Sequence, residues 1–282
     1  MLGTIATLSV SLLPYIDIPE GHIGPLPIRP FGVLVVIGIL LGSRISGGRA
    51  KLLGLDAENF SSLLFWTIAS GIVISHILDT IVYYPREVLE QPWRLLMIWQ
   101  GLSSFGGFIG GVVGFYYYAH KQRMDLWKSA DALAYGMPFG WLFGRLGCSV
   151  VHDHPGRFSD FILAVDFPGG PRFDLGLLEV MLTPVVILAV LLAGRYFRRP
   201  GAIVTTLAFV YPFVRFPLDF LRAPAVDGGD IRYLGFTPGH YASVGVLVAA
   251  VYMFVRSGAA ARATAPASEK APSHGGRGAH RA

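Results

Sequence analysis

Charge is what this sequence has least of: Asp, Glu, Lys and Arg make up 15% of its 282 residues, against about 25% in a soluble domain. With 53% apolar residues and a mean hydropathy of +0.54, that scarcity excludes an ordinary soluble globular enzyme. Cysteine is nearly absent, and the single Cys148 excludes an intrachain disulfide and a multi-cysteine zinc cluster. No His-Glu-x-x-His occurs, which disfavours an intramembrane metalloprotease. No internal repeat of the transporter kind is visible. The glycine-rich run from Gly101 to Gly111 lacks the Lys-Ser/Thr of a P-loop, so it is no nucleotide cradle. The net charge of +5 does not indicate nucleic acid, because most basic residues stand at the ends of apolar runs, as membrane topology requires.

What is there is a series of apolar runs. A crossing helix needs ~20 mostly apolar residues, and seven runs qualify: Pro30–Ile45, Ser61–Tyr83, Gly101–Ala119, Ala130–Val151, Gly176–Gly194, Ile203–Leu221 and Pro238–Val255. The fold class expected is therefore an all-α polytopic membrane protein of about seven transmembrane helices. Residues 1–29 form an N-terminal periplasmic or interfacial segment, with an interfacial helix over Ile5–Ile18, since that run is short and contains Pro14. Residues 30–256 form the membrane domain, and the small, polar, basic residues 257–282 read as a disordered tail. Fourteen Lys and Arg fall on one side of these spans and eight on the other, with Arg195, Arg198 and Arg199 densest after the fifth. Basic residues stay in the cytoplasm, so the N-terminus is expected outside and the C-terminus inside.

Ionisable residues inside hydrocarbon are expensive and mark candidate sites. In YPFVRFPLDFLR, Arg215, Asp219 and Arg222 lie on one helical stripe. The row is either an ion pair that orients helices or an anion site, since two arginines with one acid leave a surplus cation suited to phosphate. Pro212 and Pro217 would free backbone groups beside it. His76 and Asp79 are spaced to meet as a buried pair. Glu179 is a lone acid early in its helix, placed for the helix dipole or for an arginine elsewhere. Small residues such as Gly106 and Gly107 normally allow close helix contact.

The segment FGRLGCSVVHDHPGRFSD, residues 143–160, is the richest. Gly144 and Gly147 flank Arg145 and leave its backbone open to a ligand. Pro155-Gly156 marks a turn, which puts His152, Asp153 and His154 where a span meets the interface. That cluster suits a general base with an orienting carboxylate, a metal, or simply a polar loop. Without a third ligand at a telling spacing no metal is expected, and histidine's titration near neutral pH favours base chemistry. Cys148, small and set in an apolar stretch, reads as filler between helices.

On these residues the sequence resembles the bacterial prolipoprotein diacylglyceryl transferases. SSFGGFIGG (Ser103–Gly111) resembles that family's Ser-Phe-His-Gly-Gly block. GRLGCSVVHDHPG (Gly144–Gly156) resembles its Gly-Arg-Ile-Gly-Asn-Phe-Ile-Asn-Gly-Glu-Leu-x-Gly signature, and RFPLDFLR (Arg215–Arg222) its Arg-Phe-x-x-Glu-x-x-Arg helix. PIRPFG near the N-terminus and LLE at 177–179 resemble further segments. The resemblance implies transfer of a diacylglyceryl group from phosphatidylglycerol to the lipobox cysteine of a preprolipoprotein in the bacterial inner membrane, with release of glycerol-1-phosphate and no cofactor. It implies that Arg145 and Arg215 bind phosphate, that Asp153 and Gly156 stand at the signature glutamate and glycine, and that Asp219 holds Arg215. Glu179, Gly106 and Gly107 support the site. Phe105 stands where the family has its histidine, Cys148 and Val151 where it has asparagines, and Phe31 where it has a tyrosine. The expectation is that His152 or His154 takes over as the base. Alternatives are a phospholipid-binding relative, a transferase with another acceptor, and a small-solute transporter whose path His76, Asp79, Glu179 and Arg215 would line.

Overall fold

A computed structural model describes residues 13–23, 26–98, 101–227 and 229–264. Most of the long helices start at a signal that the local sequence supplies. Helix α1 (Pro30–Leu52) begins on proline, whose fixed φ suits the first turn. The Asp56 carboxylate accepts the Asn59 N–H at the head of α2 (Ala57–Tyr83). A short helix α3 (Pro85–Glu90) and a 3-10 turn over Pro92–Leu96 lead to α4 (Ser104–Lys121), capped by Ser103. Asp125 caps α5 (Leu126–Val151) and Asp174 caps α6 (Leu175–Tyr196). Helix α7 (Ala202–Asp219) starts at Gly201, with φ of +86° and no side-chain cap of its own. Asp131 of α5 supplies one instead, accepting the N–H groups of Gly201, Ile203 and Val204 at 2.7, 2.9 and 2.9 Å. Helix α8 runs over Pro238–Thr264, beyond the span expected to end at Val255. Five of these helices are long and apolar enough to cross a membrane: α1, α2, α6, α7 and α8. Glycines and tyrosines dilute the apolar character of α4, as glycines and the buried Asp131 and Arg145 do in α5.

Small residues set the helix contacts. A methyl on Gly38 would stand 2.6 Å from the Gly140 carbonyl oxygen, so α1 and α5 meet backbone to backbone. Helix α4 meets α2 in the same way, where a methyl on Gly106 would lie 2.6 Å from Cα of Ser75. The close contact expected of the glycine block is therefore present at Gly106, while Gly107 would meet only Ser75 Oγ, at 3.9 Å. Helix α7 continues through both Pro212 and Pro217 rather than breaking at them. The expected His76–Asp79 pair gives way to a different contact. His76 directs Nδ1 to the Gly101 carbonyl and Nε2 to that of Arg94, both at 3.1 Å, and so fastens the α2–α4 connection.

The chain also builds a small sheet that the all-α expectation did not include. Strands β1 (Leu13–Pro14), β4 (Pro155–Phe158), β5 (Val165–Phe167) and β6 (Gly170–Asp174) stand in the order β1-β5-β6-β4, with β1 parallel to β5. A separate hairpin pairs β2 (Gly21–Ile23) with β3 (Leu26–Ile28). The part of the expected interfacial helix that falls on residues 13–18 is not helical, with a strand at Leu13–Pro14 and irregular chain after it, and residues 1–12 lie outside the described residues, as do 265–282 of the expected tail. The sheet lies at the end of the bundle where α5 stops and α6 starts.

Candidate active site

At that end, side chains from three helices form one chain of ion pairs. Glu179 of α6 spends one oxygen on each of two arginines: Oε2 lies 2.9 Å from Arg145 Nε of α5, and Oε1 3.1 Å from Arg215 Nη1 of α7. Arg215 Nη2 reaches Asp219 Oδ1 at 2.7 Å, and that oxygen also takes Arg222 Nε at 3.1 Å. Arg222 continues to Asp230 at 2.9 Å. The helical stripe read from spacing is thus real, but its expected surplus of positive charge is not: the chain holds three arginines, Arg145, Arg215 and Arg222, against three carboxylates, Glu179, Asp219 and Asp230. Glu179 is 3% exposed and Asp219 fully buried. An isolated charge would be intolerable at such burial, and alternation of sign is what makes the row stable. The Arg145 guanidinium also lies over the Trp141 ring at 4.5 Å, and Trp141 meets Tyr211 edge-on.

The glycines of the signature divide by role. Gly144 has open space around it and, with Trp141, lines an apolar crevice of about 290 Å³ between α1, α2 and α5. Gly147 is not open to a ligand as expected, because Phe31 of α1 fills the space a side chain would take. At Gly156 a methyl would strike the Leu221 carbonyl and the Phe173 backbone, at 2.7 and 2.9 Å. Only glycine lets β4 lie against the end of α7, where Gly156 bridges to Arg222. That contact brings residues 152–156 beside the arginines.

The three residues of the His-Asp-His cluster face different ways. His152 ends α5 in a left-handed conformation, φ +50°. Its Nδ1 lies 2.6 Å from Asp174 Oδ2, its Nε2 3.2 Å from the Ile16 carbonyl, and Tyr15 stacks on its ring at 4.2 Å. Both ring nitrogens are engaged, so the geometry makes His152 an anchor between the N-terminal segment and the sheet. His154 faces the ion chain. Burial first, then the charges of Arg222, Arg145 and Arg215, push its imidazole down to about 3, so it stands neutral at pH 7. Its Nε2 lies 3.7 Å from Asp153 Oδ1. Burial raises the Asp153 carboxyl, with Arg145 pulling the other way. Asp174 is raised by burial against the hydrogen bonds it accepts from Leu177 and His152.

Cys148, Asp153 and His154 offer ligand atoms within 4.8 Å of one another. Arg145 Nη1, 3.9 Å from the Cys148 sulfur, sets a fixed positive charge against any cation there. A second cavity, of about 530 Å³, opens beside Asp153 between Phe31 and Val151 on one side and Asp17 and Glu20 on the other. Phe105, at the position of the family's histidine, is half exposed at the head of α4. Sequence reasoning missed Asp174, Trp141, Tyr211, Thr237 and His240. Asp174 carried a signal as an acid directly before an apolar run, and Thr237 as a hydroxyl residue directly before the proline that opens α8.

The charges proposed for a solute path separate, since His76 is spent on the α2–α4 connection while Glu179 joins the arginines. The family model for prolipoprotein diacylglyceryl transferase matches residues 21–256. Three relatives carry the name phosphatidylglycerol–prolipoprotein diacylglyceryl transferase. That from Sinorhizobium medicae is 33% identical over 280 residues, covering 93% of this chain and 100% of the relative. That from Chromohalobacter salexigens is 31% identical, covering 86% of this chain and 93% of the relative. The Vibrio parahaemolyticus protein is 30% identical, covering 86% and 91%. With the matched stretch running from before α1 to the end of α8's apolar part, this chain belongs to the prolipoprotein diacylglyceryl transferase family.

Proposed function

We propose that this protein transfers a diacylglyceryl group from phosphatidylglycerol to the lipobox cysteine thiol of a prolipoprotein. The observation that carries the reading is the bridging of Arg145 and Arg215 by Glu179, which sets two guanidinium groups side by side next to an apolar crevice. The crevice suits acyl chains and the arginines suit a phosphodiester. In the reaction the acceptor sulfur attacks the diacylglycerol carbon that carries the phosphate. The carbon–oxygen bond breaks, and glycerol-1-phosphate leaves with the electron pair. Arg145 and Arg215 stabilise the charge that grows on the phosphate, and Arg222 extends the same field.

The thiol proton goes to His154. Burial first, and then the three arginines, keep this ring a weak base. A bound phosphate offsets part of the arginines' share, so the base strengthens when the lipid is in place. Asp153 orients it, while His152 and Asp174 hold the segment. Gly144, Gly147 and Gly156 shape the surroundings, and Gly106 and Gly107 support α4. Seven spans, the five apolar helices with α4 and α5, cross the inner membrane with the N-terminus outside. The sheet end then lies on the outer face, where prolipoproteins arrive, and the partners are phosphatidylglycerol, the lipobox segment and surrounding lipid.

The test incubates purified protein with phosphatidylglycerol and a lipobox peptide and weighs the peptide by mass spectrometry. A diacylglyceryl mass gain is expected. No gain, with a family enzyme active in parallel, overturns the reading in favour of lipid binding or another acceptor.

A further inference from the structure

The end of α7 and the start of α8 share a polar line that the ion chain does not explain. Asp219 gives Oδ1 to both arginines, Arg215 and Arg222. Its other oxygen, Oδ2, accepts the Thr237 hydroxyl at 2.6 Å. Thr237 meets His240 twice: its backbone N–H donates to Nδ1 at 3.1 Å, and its Oγ1 lies 2.9 Å from the same nitrogen. Asp219, Thr237 and His240 are at most 1% exposed.

The protons in this line can be counted. A backbone N–H cannot rotate, so Nδ1 must accept and the ring proton sits on Nε2. The threonine hydroxyl has one proton, and the carboxylate, which can only accept, takes it at the shorter distance. His240 Nε2 has no hydrogen-bond partner among the described residues. Phe216, Phe220 and Phe236 surround its ring, with centroids at 4.7, 4.3 and 5.3 Å. An apolar cage of this kind favours the neutral ring and holds its plane. Gly239 completes the arrangement, because a methyl there would overlap the Asp219 carboxylate. Backbone of α8 is thus pressed against Oδ2, the oxygen that Thr237 also holds.

We infer that His240 and Thr237 are positioning residues of the transferase site. They fix Asp219 so that Oδ1 holds Arg215 and Arg222 in register for the leaving phosphate. The role rests on the transfer reaction proposed above; the hydrogen-bond line does not. Neither residue contacts the arginines through an ion pair, and both act through Asp219.

The test measures kcat and KM for each substrate with the full-length protein in mixed micelles containing phosphatidylglycerol, plus a lipobox peptide. Thr237→Val and His240→Leu remove the links. Thr237→Ser keeps the hydroxyl, and His240→Asn keeps an acceptor where Nδ1 stood. Losing one hydrogen bond to a charged group predicts a fall in kcat/KM for phosphatidylglycerol of about 10- to 100-fold, with KM for the peptide unchanged. The conservative variants are expected within about threefold of wild type. His240→Leu added to Asp219→Asn should lose nothing beyond Asp219→Asn alone. Thermal midpoints report folding, and the isosteric Thr237→Val carries the test if His240→Leu does not fold. Full activity in Thr237→Val, no rescue by the conservative pair, or additive loss with Asp219→Asn overturns the inference. A wild type inactive on phosphatidylglycerol, beside an active family enzyme, overturns the functional reading instead. The same variants are then compared for calorimetric binding of glycerol-1-phosphate, where equal binding by wild type and Thr237→Val overturns the line's role.

Discussion

Glu179 is the residue on which the site turns, because each of its two oxygens serves a different arginine from a different helix. Glu179→Gln keeps the shape and removes the charge, leaving Arg145 and Arg215 to repel each other in a buried place. Breaking a buried pair of this kind costs about 3–5 kcal/mol, or ~10 °C in thermal midpoint. Loss of transfer is expected to exceed ~100-fold, since the phosphate-binding geometry goes with the carboxylate. Differential scanning fluorimetry and the peptide assay read the two effects, and an unchanged midpoint would show that the bridge is not formed. The arginines and Asp219 were legible because charges inside apolar runs stand out. For Glu179 an arginine elsewhere was one of two readings, and spacing could not choose it, since helical spacing relates residues within one helix and says nothing of a neighbour. Thr237 and His240 were not legible as site residues for a related reason: they lie beside a predicted span's start and matter only through Asp219.

At the scale of elements, glycine placement decides which helices touch. A methyl on Gly136 would overlap Ser46 Oγ and the Gly42 carbonyl, whereas Gly48, on the same helix as Ser46, has nothing within 4 Å. Gly136→Val is therefore expected to abolish stable folding in detergent, measured as the loss of a monodisperse peak and of the thermal transition. Gly48→Ala should leave the midpoint unchanged or raise it by a few degrees, the equivalent of up to about 1 kcal/mol of helix stability. A tolerated Gly136→Val would show that α1 and α5 do not meet at their backbones. Long helices were read from hydropathy at all seven places, five of them apolar enough to cross a membrane, and the fourth expected span is helical as α5. The sheet escaped because its strands are two to five residues long, too short for a period-two pattern to declare itself. Helix α7's cap escaped because Asp131 stands 70 positions away from Gly201.

For the molecule as a whole, the depressed His154 imidazole makes stability depend on pH. Its ordinary value of 6.5 falls to about 3 in the fold. Between those values the unfolded chain binds a proton that the folded chain refuses, so stability falls as pH drops from about 6.5 toward 3. Asp153 and Asp174 act oppositely, since carboxyls held above 3.8 bind protons more readily in the fold and favour it as pH falls toward that value. The difference between wild type and His154→Gln isolates the histidine. Thermal midpoints at pH 7.5 and 5 are expected to fall further for wild type, and parallel slopes would contradict the buried, arginine-facing position. The pairing of β1 with β5 bears on how the molecule is made. Leu13 is opposite Val165, with α1, α2, α4 and α5 between them in the chain. During synthesis the first strand must wait, unpaired, while four long helices are made. The sheet closes only after β5 has emerged, and the cavity between Asp17 and Asp153 takes shape with it. A half-made chain therefore has α1, α2, α4 and α5 before its sheet end can close, and Arg215 and Arg222 of the ion chain are added later still.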